Sequence, residues 1–351
     1  MMKNANTCYP FISVIVPVYN ASKTIRQLII SLMNQSYPKD KYEIIIVDDG
    51  SKDETVEIVM SITKENSWSN IKIIRLGRNY GPATARNHGV MKAKGEIIAF
   101  TDADTLPDKN WLRELVEAFN DENVGGVRGE TLTDSYLLFP VRVAPVGGGY
   151  KTCNIAYRKN VLKNIGLFDE HFRHPFGEDG DVAHRILKKG FLIKNSPRAI
   201  VFHPVKELNL KQVIRMAMLR QYDVLFFRKH PEDAKAYGER FMRPILVISP
   251  FLGLSITGIV AFLYLVITFI SILFSKVIYL IVGSLVVASL FIPFFILLFL
   301  IHGYKAVLYG HPPEKIPIYI RIKCAIALLV FYLTALASRI YGSLKYGVLM
   351  I

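Results

Sequence analysis

Two hydrophobic rhythms alternate along the first half of the chain. Residues 11–17, 42–47, 71–76 and 96–100 are short, nearly unbroken apolar runs, rich in Ile and Val and bounded by polar residues or proline. Such runs predict strands buried on both faces. Between them the apolar residues fall at helical spacing. Ile25, Leu28, Ile29 and Leu32 follow Ser22, a candidate N-cap, and further helices are expected over 55–62 and 82–91. A helix over 111–119 and strands over 124–130 and 199–202 continue the pattern. Strands alternating with helices predict βαβ units and a mostly parallel sheet of the α/β class. In such sheets ligands sit at the carboxyl ends of the strands. Pro17, Tyr19 and Asn20, then Asp48 and Asp49, then Asp102, Ala103 and Asp104, all lie at such ends and are expected on one rim.

The rhythm breaks after Pro244. Residues 246–274 and 277–301 carry no charge, and 324–341 is a third, shorter apolar run. Uncharged runs of the first two lengths are long enough to cross a bilayer. The expected division is therefore a domain over 1–240 and a membrane region over 241–351 with two to three transmembrane helices. Within the first domain, 10–130 is the expected nucleotide-binding half and 131–240 the acceptor half. Basic residues flank the expected hairpin on both sides, which predicts a multi-pass membrane protein with the first domain in the cytoplasm.

Composition supports a mixed soluble and membrane chain: 351 residues, 51% hydrophobic, with mean hydropathy +0.29. The formal net charge of +14 fits a partner that is anionic, either phosphates or a membrane face with its lipids. Nucleic acid is disfavoured, because no recognition motif accompanies the charge. Cys8, Cys153 and Cys324 are scattered, so free thiols in a reducing compartment are expected. The polar N-terminus argues against a cleaved signal peptide.

Candidate chemistry begins with Asp102-Ala103-Asp104. Two carboxylates one residue apart at a strand end suit Mg2+ or Mn2+ together with a substrate phosphate, and a solvated turn is the plainer alternative. No GxGxxG follows the first strand and no GxxxxGK[ST] occurs, so dinucleotide and P-loop sites are disfavoured.

The segments VPVYN, VDDGS, GRNYGPATARNHG and TDADT, in this order, resemble the nucleotide-binding half of family 2 glycosyltransferases of the GT-A fold, including those of bacterial and archaeal envelope glycan or exopolysaccharide synthesis. The resemblance covers roughly the first 240 residues. It implies a UDP- or GDP-sugar donor, with Pro17, Tyr19, Asn20, Asp48 and Asp49 around the base and ribose and Arg86 beside the nucleotide. It further implies that Asp102 and Asp104 are the DxD pair, Asp104 making the more direct metal contact. Gly147-Gly148-Gly149 precedes a G-x-N-x-x-[YF]-R-like stretch in which Asn154 borders the donor sugar. The cluster Glu178-Asp179-Gly180-Asp181 resembles the family's acidic motif, in which the second carboxylate is the general base. Asp179 is thus the expected base, with Glu178 and Asp181 as supports, although helix capping also explains acids at this place. His203 stands where related transferases bring a His to the metal or diphosphate. Arg220 lies where a diphosphate or lipid phosphate contact is expected.

The chain departs from the processive synthases of the family, whose Q-x-x-R-W motif it cannot carry: Trp68 and Trp111 are its only tryptophans. The expected activity is metal-dependent, inverting transfer of a hexosyl-type sugar to a hydroxyl of a lipid-linked or cell-envelope glycan. Transfer to a polyprenyl phosphate, which needs no base, and a catalytically silent membrane scaffold are the alternatives.

Overall fold

The computed structural model describes residues 9–66, 68, 70–147, 149–232, 308–309 and 318–347. It forms two compact units, Met1–Ser135 with Arg142–Glu207, and Tyr136–Val141 with Leu208–Ile351.

The first unit opens with β1 (Ile12–Val18), α1 (Ile25–Met33), β2 (Tyr42–Asp48), α2 (Thr55–Glu65), β3 (Ile71–Arg75), α3 (Pro82–Lys92) and β4 (Ile97–Phe100). These are the expected βαβ units, and β3, β2, β1 and β4 lie side by side and parallel. Successive side chains of a strand point to opposite faces. In β1, Val14 and Val16 join Leu28, Leu32 and Trp111 on one face, while Ile15 joins Ile45, Phe100 and Val90 on the other. A strand packed by helices on both sides must be apolar throughout, which is why it reads as a continuous run rather than an alternating one. Each such buried side chain contributes about 1.5–3 kcal/mol relative to exposure.

The unit continues with β5 (Leu106–Pro107), α4 (Trp111–Glu117), β6 (Val124–Leu132), β8 (Arg142–Val143), β9 (Ile155–Arg158), α5 (Lys159–Asn164), α6 (Glu178–Lys188), β10 (Leu192–Phe202) and β11 (Lys206–Glu207). The eight-stranded order is β3-β2-β1-β4-β9-β6-β10-β5. β9 runs antiparallel to both neighbours, β4 and β6, so the sheet is mixed on this side. β10 begins seven residues earlier than the strand expected over 199–202, at Leu192. Its first half is half-exposed, polar and interrupted by Pro197, and a register shift separates Ser196 from Ile200. That pattern hides a strand from a hydrophobicity reading. Ser22 is not an N-cap: α1 starts after Thr24 without a side-chain cap, and the Ser22 N–H donates to Asp53 Oδ2 at 3.0 Å.

The second unit holds β7 (Leu137–Leu138), α7 (Leu210–Met218), α8 (Gln221–Lys229), β12 (Leu308–Tyr309) and α9 (Ile318–Tyr346). A capping box at Asn209 and Gln212 starts α7.

The expectation of a multi-pass membrane protein is corrected here. Among the described residues, no helix is long and apolar enough to cross a membrane. The third apolar run, 324–341, belongs to the 29-residue α9, and one side of it packs into a protein core. Cys324, Ala327, Leu328, Phe331 and Ala335 pack with Leu138, Val141, Val213 and Ala217. The same helix carries Arg339, whose guanidinium holds Asp223 Oδ2 at 2.8 Å. The runs 246–274 and 277–301 lie outside the described residues. Cys153 and Cys324 are free and buried, and Cys8 lies outside the described residues.

Candidate functional site

The carboxyl ends of β1, β2 and β4 bring the predicted residues to one rim of the first unit. Pro17 is half-buried near the end of β1, and Tyr19 beyond it is 48% exposed. Asn20 takes a left-handed backbone (φ 53°), and its Oδ1 accepts from the Lys52 N–H at 2.8 Å. The loops after β1 and β2 are thereby laced together. Asp48 is buried and accepts from the Ser51 N–H at 2.9 Å. Asp49, also buried, accepts from the N–H groups of Tyr80 at 2.7 Å and Gly81 at 2.8 Å. It fixes the loop that leads into α3. Gly81 has φ 101°, and a Cβ there would meet the Arg173 carbonyl oxygen at 2.3 Å. Only glycine fits that turn.

Arg86, on the inner side of α3, is 2% exposed. One terminal nitrogen donates to Glu178 Oε1 at 2.9 Å, the other to Asp102 Oδ1 at 3.2 Å. Burial works against its charge, and Asp102, Glu178 and Asp179 outweigh that, so the guanidinium is held above its ordinary value. Arg86 Nε and Glu178 Oε2 are buried without a hydrogen-bond partner among the described residues. Ala103, between the two aspartates, packs on the core. The turn itself is braced by two residues that the motif reading left without a role. Thr105 Oγ1 donates to the Asp102 carbonyl at 2.7 Å, and Thr101 Oγ1 donates to the Cys153 carbonyl at 3.1 Å.

Asp104 faces away from that group, towards the end of β10. Its Oδ1 lies 3.4 Å from His203 Nε2, and its Oδ2 is ion-paired with Lys206. Burial would raise the Asp104 carboxyl, and His203 and Lys206 together bring it far below the usual carboxylate range. The reciprocal effect raises His203: burial pulls it down, and its hydrogen bond and charge contact with Asp104 outweigh that. Lys206 was missed because a lysine four residues past a strand end has no pattern in sequence. Asp104 and the His203 imidazole, 3.4 Å apart, are hard and borderline donors of the kind that suit a divalent ion such as Mn2+, while Asp102 is turned to Arg86.

Glu178 and Asp179 open α6 behind Gly177, whose left-handed backbone (φ 93°) turns the chain into the helix without a side-chain cap. Burial raises both carboxyls; Asp179 adds to the rise of Glu178 and Asp102 to that of Asp179, and Arg86 opposes both shifts. Asp181 is fully buried and paired with Arg185 at 2.7 Å, a tie within the helix. Asn154 spends three of its four hydrogen-bonding places within the fold. Its Oδ1 accepts from Trp111 Nε1 at 2.9 Å, and its Nδ2 donates to the carbonyls of Glu130 and Ala199, each at 2.9 Å. It stitches strands together. Arg220 belongs to the second unit, where it lies 3.7 Å from Asp223 and over the Phe331 ring.

The model of the family described as Glycosyl transferase family 2 matches residues 13–169. The chain is 30% identical to Glycosyltransferase AglE of Haloferax volcanii over 213 residues, 56% of this chain and 68% of that protein. It is 24% identical over 278 residues, 73% of this chain and 84% of the relative, to a Methanococcus voltae protein. That relative is named dolichyl N-acetyl-alpha-D-glucosaminyl phosphate 3-beta-D-2,3-diacetamido-2,3-dideoxy-beta-D-glucuronosyltransferase. Among solved structures, mannosyltransferase PcManGT of Pyrobaculum calidifontis, in complex with GDP-Man and Mn2+, has a TM-score of 0.57 at 21% identity. The match covers 94% of this chain and 88% of that one, a likeness of fold.

Proposed function

The chain belongs to glycosyl transferase family 2, and on that premise we propose that it transfers a sugar, with inversion, from a nucleoside-diphosphate donor to a hydroxyl of a glycan or lipid-linked acceptor. The observation that carries this reading is the Arg86 bridge, 2.9 Å to Glu178 and 3.2 Å to Asp102. One buried cation ties the DxD turn to the acidic start of α6, so donor-side and acceptor-side carboxylates share one rim.

Tyr19, Asn20 and Asp48 line the part of the rim suited to a base and ribose, with Asp49 holding its floor. Asp104, with His203 beside it and Asp102 on the same turn, would hold Mg2+ or Mn2+, which when bound supplies positive charge to a departing diphosphate. Asp179 takes the proton of the acceptor hydroxyl. Burial and Asp102 raise its carboxyl, which makes it a stronger base than a solvated aspartate. Glu178 is already committed to Arg86 and therefore steadies the base rather than replacing it. The donor and metal in the PcManGT complex support these assignments, as does the lipid-linked acceptor named for the Methanococcus voltae relative.

The test is release of nucleoside diphosphate from UDP- and GDP-sugars by the purified full chain, with and without Mn2+. Metal-dependent release from one donor class is the expected result. No release from any donor, with or without lipid-linked acceptors, overturns the reading.

A further inference from the structure

The two DxD carboxylates are neutralised by different kinds of cation. Asp102 is held by Arg86, whose side chain is 3% exposed and which also holds Glu178. That guanidinium cannot leave without stranding two acids. Asp104 is held by Lys206, whose side chain is 55% exposed. The backbone of Lys206 is fixed, because β11 pairs antiparallel with β8, Lys206 opposite Val143. The next residue, Glu207, is paired with Arg142 at 3.3 Å. A lysine ammonium is a point charge on a flexible stem, so only its head has to move for the carboxylate to change partner.

We propose that Lys206 is the resident counter-cation of Asp104, which a divalent metal must displace before it can use Asp104 Oδ2. The inference rests on the metal reading of Asp104 given above. His203 and Lys206 are not equivalent neighbours of that carboxylate. A neutral imidazole has a lone pair and can stay as a co-ligand, whereas a protonated lysine has three donors and no acceptor. Lys206 therefore competes with a metal and cannot assist it. The competition keeps Asp104 satisfied while no metal is bound and lowers the affinity of the free protein for the ion.

Mn2+ binding to the full chain, read from the electron paramagnetic resonance signal of free Mn2+, tests this directly. Lys206→Met keeps the stem and removes the charge. It should tighten Mn2+ binding about two- to fivefold, the range expected from a partly exposed ion pair. Its melting temperature in a chelator should stay close to wild type. Lys206→Arg should restore the weak binding, since arginine also occupies the carboxylate. Placing Asp104→Asn in the Lys206→Met background should erase the gain. Unchanged or weaker Mn2+ binding in Lys206→Met overturns the proposal, as does a gain that survives Asp104→Asn. If Asp104→Asn alone leaves Mn2+ binding intact, the metal reading itself fails and the proposal falls with it.

Discussion

Asp49 and Asp104 stand on the same rim, yet they are satisfied in opposite ways. Both oxygens of Asp49 accept from backbone N–H groups, those of Tyr80 and Gly81. Both oxygens of Asp104 face side chains, the His203 imidazole and the Lys206 ammonium. A backbone donor cannot be exchanged without moving the chain that carries it. A side-chain cation can swing away and leave a carboxylate for a ligand. The partner, rather than the residue type, thus separates a carboxylate that builds the site from one that works in it. Arg86 marks the boundary between the two: it is a side-chain cation, but burial between Asp102 and Glu178 makes it as fixed as backbone.

The comparison breaks most visibly at the working carboxylates. Asp104→Ala should abolish metal-dependent transfer and Mn2+ binding, with a fall in melting temperature from the lost pairing with His203 and Lys206 but a protein that still folds. Asp179→Asn should lower turnover by about 10²–10⁴-fold, the usual contribution of a general base, with donor affinity nearly unchanged. If Asp179→Asn remains active but is less stable, the carboxylate is structural, and a phosphate acceptor that needs no base becomes the better reading.

Arg86→Met removes the fixed cation. It leaves two acids with too little compensation in a buried place, and unfolding in urea should show a loss of about 3–5 kcal/mol. A loss below 1 kcal/mol would mean that Arg86 behaves like the exchangeable Lys206. Asp49→Ala should cost about 1–3 kcal/mol by stranding two backbone donors, with Mn2+ affinity unaffected. An Asp49→Ala protein of normal stability and poor metal binding would reverse the contrast with Asp104.

The smallest effect belongs to Asp53. Burial tends to raise its carboxyl, but hydrogen bonds from Thr55 and Ser22 outweigh this and bring it down to about 2. A folded value below the unfolded one, about 3.9, means stabilisation that is present above pH ~4 and lost as the pH falls towards 2. Asp53→Asn weakens the hydrogen bonds from Thr55 and Ser22 that depress this carboxyl and should therefore be less stable by about 0.5–1 kcal/mol at pH 7. The gap to wild type should close between about pH 4 and pH 2 in a denaturation series.

Local pattern was enough to determine the strands and helices from β1 to β4, the rim on which Asp48, Asp49, Asp102 and Asp104 converge, and the position of Asp179 at a helix start. Those features follow from periodicity and from turn residues, which act over a few positions. Tertiary structure alone decided the rest. It placed Arg86 against Glu178, 92 positions away, and turned Asn154 inward to Trp111, Glu130 and Ala199 rather than towards a ligand. It set Lys206 on Asp104, ran β9 antiparallel between β4 and β6, and made a protein core of the apolar run in α9 that reads as a membrane segment. Each of these depends on which surfaces meet. An apolar face is the same in sequence whether lipid or protein covers it, and a charged residue carries no local mark of the partner that neutralises it.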